Sequence, residues 1–132
     1  MSATVVDQLD SLRTHLAEFE LPELYSVHVV RAWDGLSVSA QLACHDLPEI
    51  ATGLLAWADT LTGVTTEAWR VPSGDSVHLS VIGQLPEGIT IRVYGGVAFT
   101  EHGIGADLAA DASTTVPLAI LRHLATPGEV TL

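Results

Sequence analysis

Two runs of strict alternation constrain this chain most. In Val77-His78-Leu79-Ser80-Val81 and in Ile89-Thr90-Ile91-Arg92-Val93-Tyr94, every second residue is aliphatic. A period of two belongs to the β-strand, whose successive side chains point to opposite faces, and not to the helix. Pro86-Glu87-Gly88 separates the runs, and Pro72-Ser73-Gly74-Asp75 precedes the first. Connections this short fold a strand back beside its predecessor, because a parallel neighbour needs a crossover of about a dozen residues. Val64 to Val71, Ser76 to Ile82 and Ile89 to Phe99 are therefore expected to form an antiparallel meander. Gly95-Gly96 is expected to put a bulge or bend in its last strand.

The same alternation recurs earlier. Leu36, Val38, Ala40 and Leu42 take one face of a strand, with Ser37, Ser39 and Gln41 on the other. Leu24 to Ala32, centred on Val27 to Val30, reads as its partner. Asp34-Gly35 between them is a hairpin signal, since glycine supplies a positive φ without steric cost.

Helical periodicity occupies the remaining long segments. From Thr4 to Glu20, Val5, Leu9, Leu12, Leu16 and Phe19 fall on one face. Thr4 and Asp7 can close a capping box, and Pro22 ends the run. From Asp46 to Thr62 the apolar face is Ile50, Leu54, Trp57 and Leu61. Asp46 is placed to cap it, with Pro48 in the first turn, Glu49 as the reciprocal acid and Gly63 as terminator. Pro117 to Ala125 forms a third helix with Leu118, Leu121 and Leu124 inward. Glu101 to Thr115 is expected to be a loop, and Pro127 to Leu132 a tail or short strand. The order α-ββ-α-βββ-α gives an α+β domain spanning residues 1–132: a five-stranded antiparallel sheet with helices mainly on one face. The two long helices are expected to lay their apolar rows on Val27, Val29, Val38, Ala40, Leu79, Val81, Ile91 and Val93.

Charge narrows the function classes. Sixteen acidic residues against five basic ones leave a net charge of −11, and the basic residues are all arginine. Phosphate recognition needs clustered cations, so neither nucleic acid nor an anionic membrane surface is an expected partner. A protein partner suits this charge, a basic one best. One cysteine, Cys44, cannot form an internal disulfide. Asp7 and Asp10 stand where a signal peptide would be cationic and apolar. Both features lead to an expected cytoplasmic location.

No motif assigns catalysis. The six histidines show no metal-ligand spacing, and Cys44-His45-Asp46 sets three donors too close in sequence to converge on one ion. Neither the glycine runs nor any lysine supplies a nucleotide-binding loop. No catalytic residue, metal or cofactor is therefore expected. The informative pattern is the sheet face opposite the aliphatic rows, where His28, His78, Arg92 and Tyr94 fall, joined by Trp69 according to register. Aromatic and arginine side chains are the types enriched at protein interfaces. That face is the expected partner-binding surface of a non-enzymatic interaction module, with a homodimer as one form of the contact. The alternative is a small-molecule binding protein or enzyme with a pocket near residues 94–102, formed by Tyr94, Glu101 and His102.

The Val77–Val81 alternation, the Asp46–Leu61 helix and Val116-Pro117-Leu118-Ala119-Ile120-Leu121-Arg122 resemble small acidic α+β proteins of actinobacterial chromosomes, plasmids and phages. That resemblance carries no functional motif and implies no site residue. In size, acidity and element order the chain is also similar to secretion-chaperone-like folds, ordered α-βββ-α-ββ-α, and to small acidic immunity proteins. Both likenesses imply protein binding and neither assigns residues.

Overall fold

The computed structural model describes residues 4–32, 35–86 and 88–125. Within them the elements run α1 (Val5–Glu18), β1 (Leu24–Ala32), β2 (Gly35–Leu42), α2 (Leu47–Ala58), β3 (Thr62–Arg70), β4 (Ser76–Gln84), β5 (Thr90–Ala98), β6 (Ser113–Thr115) and α3 (Leu118–Ala125). The strands form one sheet in the order β1-β2-β5-β4-β3-β6. The chain is α+β, but the sheet is six-stranded and mixed. Two features differ from the five-stranded antiparallel expectation. β2 and β5 pair in parallel, from Ser37 opposite Thr90 to Gln41 opposite Tyr94. β6, inside the segment expected to be a loop, pairs antiparallel with β3 through Thr115 opposite Glu67 and Ser113 opposite Trp69.

Both differences have the same physical origin. Short turns dictate local pairing, and the β1–β2 hairpin and the β3–β4–β5 meander form antiparallel as their turns require. Which edge of the meander meets the hairpin is a long-range choice. The connection through α2, β3 and β4 is long enough to permit a parallel contact. Asp34, Glu87 and the tail at 127–132 lie outside the described residues.

The expected bulge at Gly95-Gly96 is absent. β5 pairs with β4 without a register shift from Ser76 opposite Ala98 to Gln84 opposite Thr90. The two glycines instead make room on opposite faces. A Cβ at Gly95 would lie 2.8 Å from Ile50 Cγ2, and one at Gly96 would lie 3.0 Å from His78 Cδ2. Gly95 lets α2 settle on the sheet, and Gly96 lets the His78 ring lie across β5.

Ile50, Leu54 and Trp57 of α2 meet Leu79, Val81, Ile91 and Val93 in a core from which solvent is excluded. α3 packs beside α2, with Leu121 fully buried. The Thr4–Asp7 capping box forms as expected. Asp46 occupies the N-cap of α2 without making a side-chain cap bond, so Pro48 in the first turn is the surviving start signal. α2 also ends at Ala58, before Gly63, which is the second residue of β3 and has positive φ.

α1 departs most from its apolar pattern. Gln8, Ser11, Leu12 and His15 face inward, while Val5, Leu9, Leu16 and Phe19 are each more than a third exposed. At 100° per residue, the helix is turned about 70° from its apolar stripe. Two polar contacts account for the rotation. The His15 ring stacks on Trp57 with centroids 5.6 Å apart, and its Nε2 lies 2.7 Å from Thr60 Oγ1.

That bond fixes the tautomer. Thr60 donates its one hydroxyl proton to the Trp57 carbonyl at 2.9 Å, so its oxygen accepts from His15 and Nε2 carries the ring proton. Nδ1 is buried without a partner. Burial holds the His15 pKa below its ordinary value, against a smaller upward pull from Glu18. An unfolded histidine titrates near about pH 6.5, whereas folded His15 takes its proton at lower pH. The unfolded chain therefore binds more protons in this window. Stability is complete above about pH 6.5 and falls as the pH drops through the folded pKa. Urea titrations at about pH 7.5 and pH 5 should show a loss of at most about 1.4 kcal/mol per pH unit from this residue. His15→Gln should remove that part of the dependence; an unchanged pH slope would contradict the assignment.

Candidate functional site

The three helices gather on the side of the sheet that carries the aliphatic rows, and among the described residues no helix covers the opposite face. Alternation places Glu67 and Trp69 of β3, His78, Ser80 and Ile82 of β4, Arg92 and Tyr94 of β5, and Ser39 and Gln41 of β2 on it. The cross-strand register arranges them in ranks. Glu67, Ser80, Tyr94 and Gln41 are opposite one another in turn. One step along lie Thr65, Ile82, Arg92, Ser39 and His28.

Rings make the centre of this face continuous. Trp69 meets His78 edge-on at 5.4 Å, and His78 stacks on Tyr94 at 5.1 Å with 20° between planes. The Arg92 guanidinium stands 5.5 Å from the Tyr94 ring centre. The Tyr94 hydroxyl donates to Gln41 Oε1 at 3.4 Å, which also accepts from Ser26 Oγ at 3.5 Å. Burial lowers the His78 pKa, and the nearby Arg92 charge lowers it further. His78 is thus held neutral, as a flat ring between two aromatics.

The far end is anchored by a clamp that the sequence pattern did not single out. Arg70 Nε donates to the Gly74 carbonyl and Nη1 to the Leu108 carbonyl, each at 2.9 Å, while its guanidinium lies 3.6 Å over the Phe99 ring. This ties the β3–β4 turn to the segment after β5. Asp111 then reaches β3, its N–H donating to the Arg70 carbonyl at 2.8 Å with φ at 66°. Its carboxylate accepts from Trp69 Nε1 at 3.1 Å and fixes the indole.

Two polar groups in the middle are left over. Ser80 is wholly buried by its neighbours and its Oγ has no partner; Arg92 Nε is likewise buried and unpartnered. Glu67 was missed in the sequence reading, although it lies two residues before Trp69 on the same strand face. Glu67 and Arg92 form no ion pair among the described residues.

The expected partner-binding residues are thus partly assembled. Trp69, His78, Tyr94 and Arg92 form one contact chain, while His28 is exposed on β1, at the edge of the sheet. Of the alternative set, Tyr94 belongs to this chain, and Glu101 and His102 are exposed in the turn after β5. A groove of about 540 Å³ lies elsewhere, between Pro22, Cys44 and the Gly53–Ala56 side of α2. Its lining is mostly apolar, with Glu49 and Thr52 the polar contributors. The Cys44 thiol has its pKa raised, first by burial and then by Glu49 and Asp46, against one backbone hydrogen bond. It is a poor nucleophile there, since the thiolate is the reactive form.

Among the described residues no three His, Cys, Asp or Glu side chains converge as metal ligands, and no helix is long and apolar enough to cross a membrane. Comparison with known proteins finds no matching family model, curated protein or solved structure, so the functional reading stands on this geometry alone.

Proposed function

We propose that the protein is a non-enzymatic interaction module that binds another protein through its uncovered sheet face. The observation that carries this reading is the Trp69–His78–Tyr94–Arg92 chain. Aromatic and arginine side chains dominate interface energetics, because they bury much area at little entropic cost. Here they are already immobilised by one another, by Gln41 and by Asp111. Pre-organisation of this kind lowers the ordering cost of association. The polar Ser39 and Gln41 among them suit a rim or a wet contact. The apolar groove beside α2 is large enough for a small ligand, but it lacks the several convergent polar groups that orient one.

The test is site-specific photo-crosslinking in the source cell. A photoreactive residue replacing Ser39, beside Arg92, should yield a discrete protein adduct. The same residue at Ala119, exposed on α3, should not. Tyr94→Ala should weaken the Ser39 adduct by about tenfold, the scale of an aromatic anchor worth 1.4 kcal/mol or more. No adduct at Ser39, or the same adduct from both positions, would refute the reading.

A further inference from the structure

We infer that the partner on this face is a second copy of the same chain, joined by reciprocal Arg92–Glu67 ion pairs. The inference rests on the reading of the sheet face as a protein-docking surface and names its occupant.

Among the described residues the face carries two charged side chains, Arg92 and Glu67, with Asp111 at its margin already engaged by Trp69. They have opposite signs, and among the described residues neither has an ion-pair partner. The register sets them at opposite corners of one block. Glu67, Ser80 and Tyr94 form one side; Thr65, Ile82 and Arg92 form the other. Ser80 and Ile82 occupy the middle strand, so the two charges flank β4 on a diagonal and are held apart by the sheet itself.

A two-fold contact brings residue i against residue j of the partner and j against i. Consider a two-fold axis lying in the interface plane and bisecting the Glu67–Arg92 diagonal. It sets each Arg92 over the other chain's Glu67, forming two equivalent pairs at once. The same axis passes beside Tyr94, so the aromatic chains of both copies meet near the centre. An unrelated partner would need its own matching dipole of charges; a second copy has it by symmetry.

The net charge of −11 opposes self-association. That charge lies mainly away from this face, and separations beyond about 8–10 Å are screened at physiological salt. The face itself is nearly neutral, because burial keeps His78 uncharged.

The experiment is sedimentation equilibrium of the full chain at about pH 7.5, a pH at which unperturbed imidazole is mostly uncharged and His78, with its lowered pKa, more so. The parent is expected to be a dimer. Arg92→Glu and Glu67→Arg should each raise the dissociation constant by about tenfold or more, the range of close interfacial charge pairs. The double reversal carrying both substitutions should restore dimerisation to near the parent value. Circular dichroism of each variant checks folding, and Glu67→Arg alone suffices if Arg92→Glu does not fold. A monomer throughout the concentration series, a dimer indifferent to both reversals, or a double variant that stays monomeric would overturn the inference. The docking reading fails separately. Ser39 adducts joining the chain to a different protein would overturn the second copy and retain the face; no Ser39 adduct with a dimer surviving the reversals would overturn both.

Discussion

Trp57→Ala should lower the unfolding free energy by roughly 3–5 kcal/mol, the range for truncating a buried large aromatic. Trp57 is completely buried on α2, and the His15 ring of α1 stacks on it. Truncation would remove the floor on which α1 rests and open a cavity beneath it. Trp57→Phe should behave differently. The indole Nε1 is buried without a hydrogen-bond partner, so its N–H is desolvated with nothing gained in return. Phenylalanine keeps most of the ring and drops that donor. Its net cost should stay below about 1.5 kcal/mol, as for shape-conserving exchanges. Equilibrium urea unfolding, read by far-ultraviolet dichroism, distinguishes the two. A Phe variant as unstable as the Ala variant would mean that the N–H is in fact satisfied.

Trp57 also marks the boundary of what the sequence could show. Its place in the row Ile50, Leu54, Trp57 and Leu61 was readable, because α2 is buried along that row and its period predicts the buried face. The sheet rows were readable for the same reason: alternation set which side chains share a face and put His78, Arg92 and Tyr94 on one side, while Trp69 depended on a register that alternation does not give. α1 defeated the pattern. Its inward face is set by one histidine that finds Thr60 and Trp57, 45 and 42 positions away, and no local period encodes such a partner. The parallel β2–β5 contact and the short strand β6 were hidden likewise, since both depend on which distant edge is free. Arg70 reads as one more strand residue until the turn carbonyls of Gly74 and Leu108 converge on it. Glu67 was legible and overlooked; counting two residues back from Trp69 places it on the same face.

Gly95→Ala should be destabilising by about 1–3 kcal/mol, the cost of inserting a methyl into a packed core. The added Cβ would lie 2.8 Å from Ile50 Cγ2 and 2.9 Å from Ile50 Cγ1. Ile50 is itself completely buried on α2, so it has no open direction in which to yield. The clash must lift the helix from β5 or bend the strand. Gly95 has no positive φ, so backbone strain adds nothing and the effect is one of space. A double-mutant cycle isolates it. Ile50→Ala alone should cost about 2–5 kcal/mol through its cavity. In the double variant the alanine at position 95 enters that cavity, so the combined loss should fall short of the sum by about 1–2 kcal/mol. Gly96→Ala is the internal control. Its Cβ would meet the edge of the His78 ring at 3.0 Å, on the face not covered by helices, where the ring can tilt away. Gly96→Ala should therefore cost less than Gly95→Ala while disturbing the His78–Tyr94 stack, visible as a shift of the His78 ring resonances. Equal losses at the two glycines, or strict additivity of Gly95→Ala with Ile50→Ala, would show that α2 does not rest on β5 through this contact.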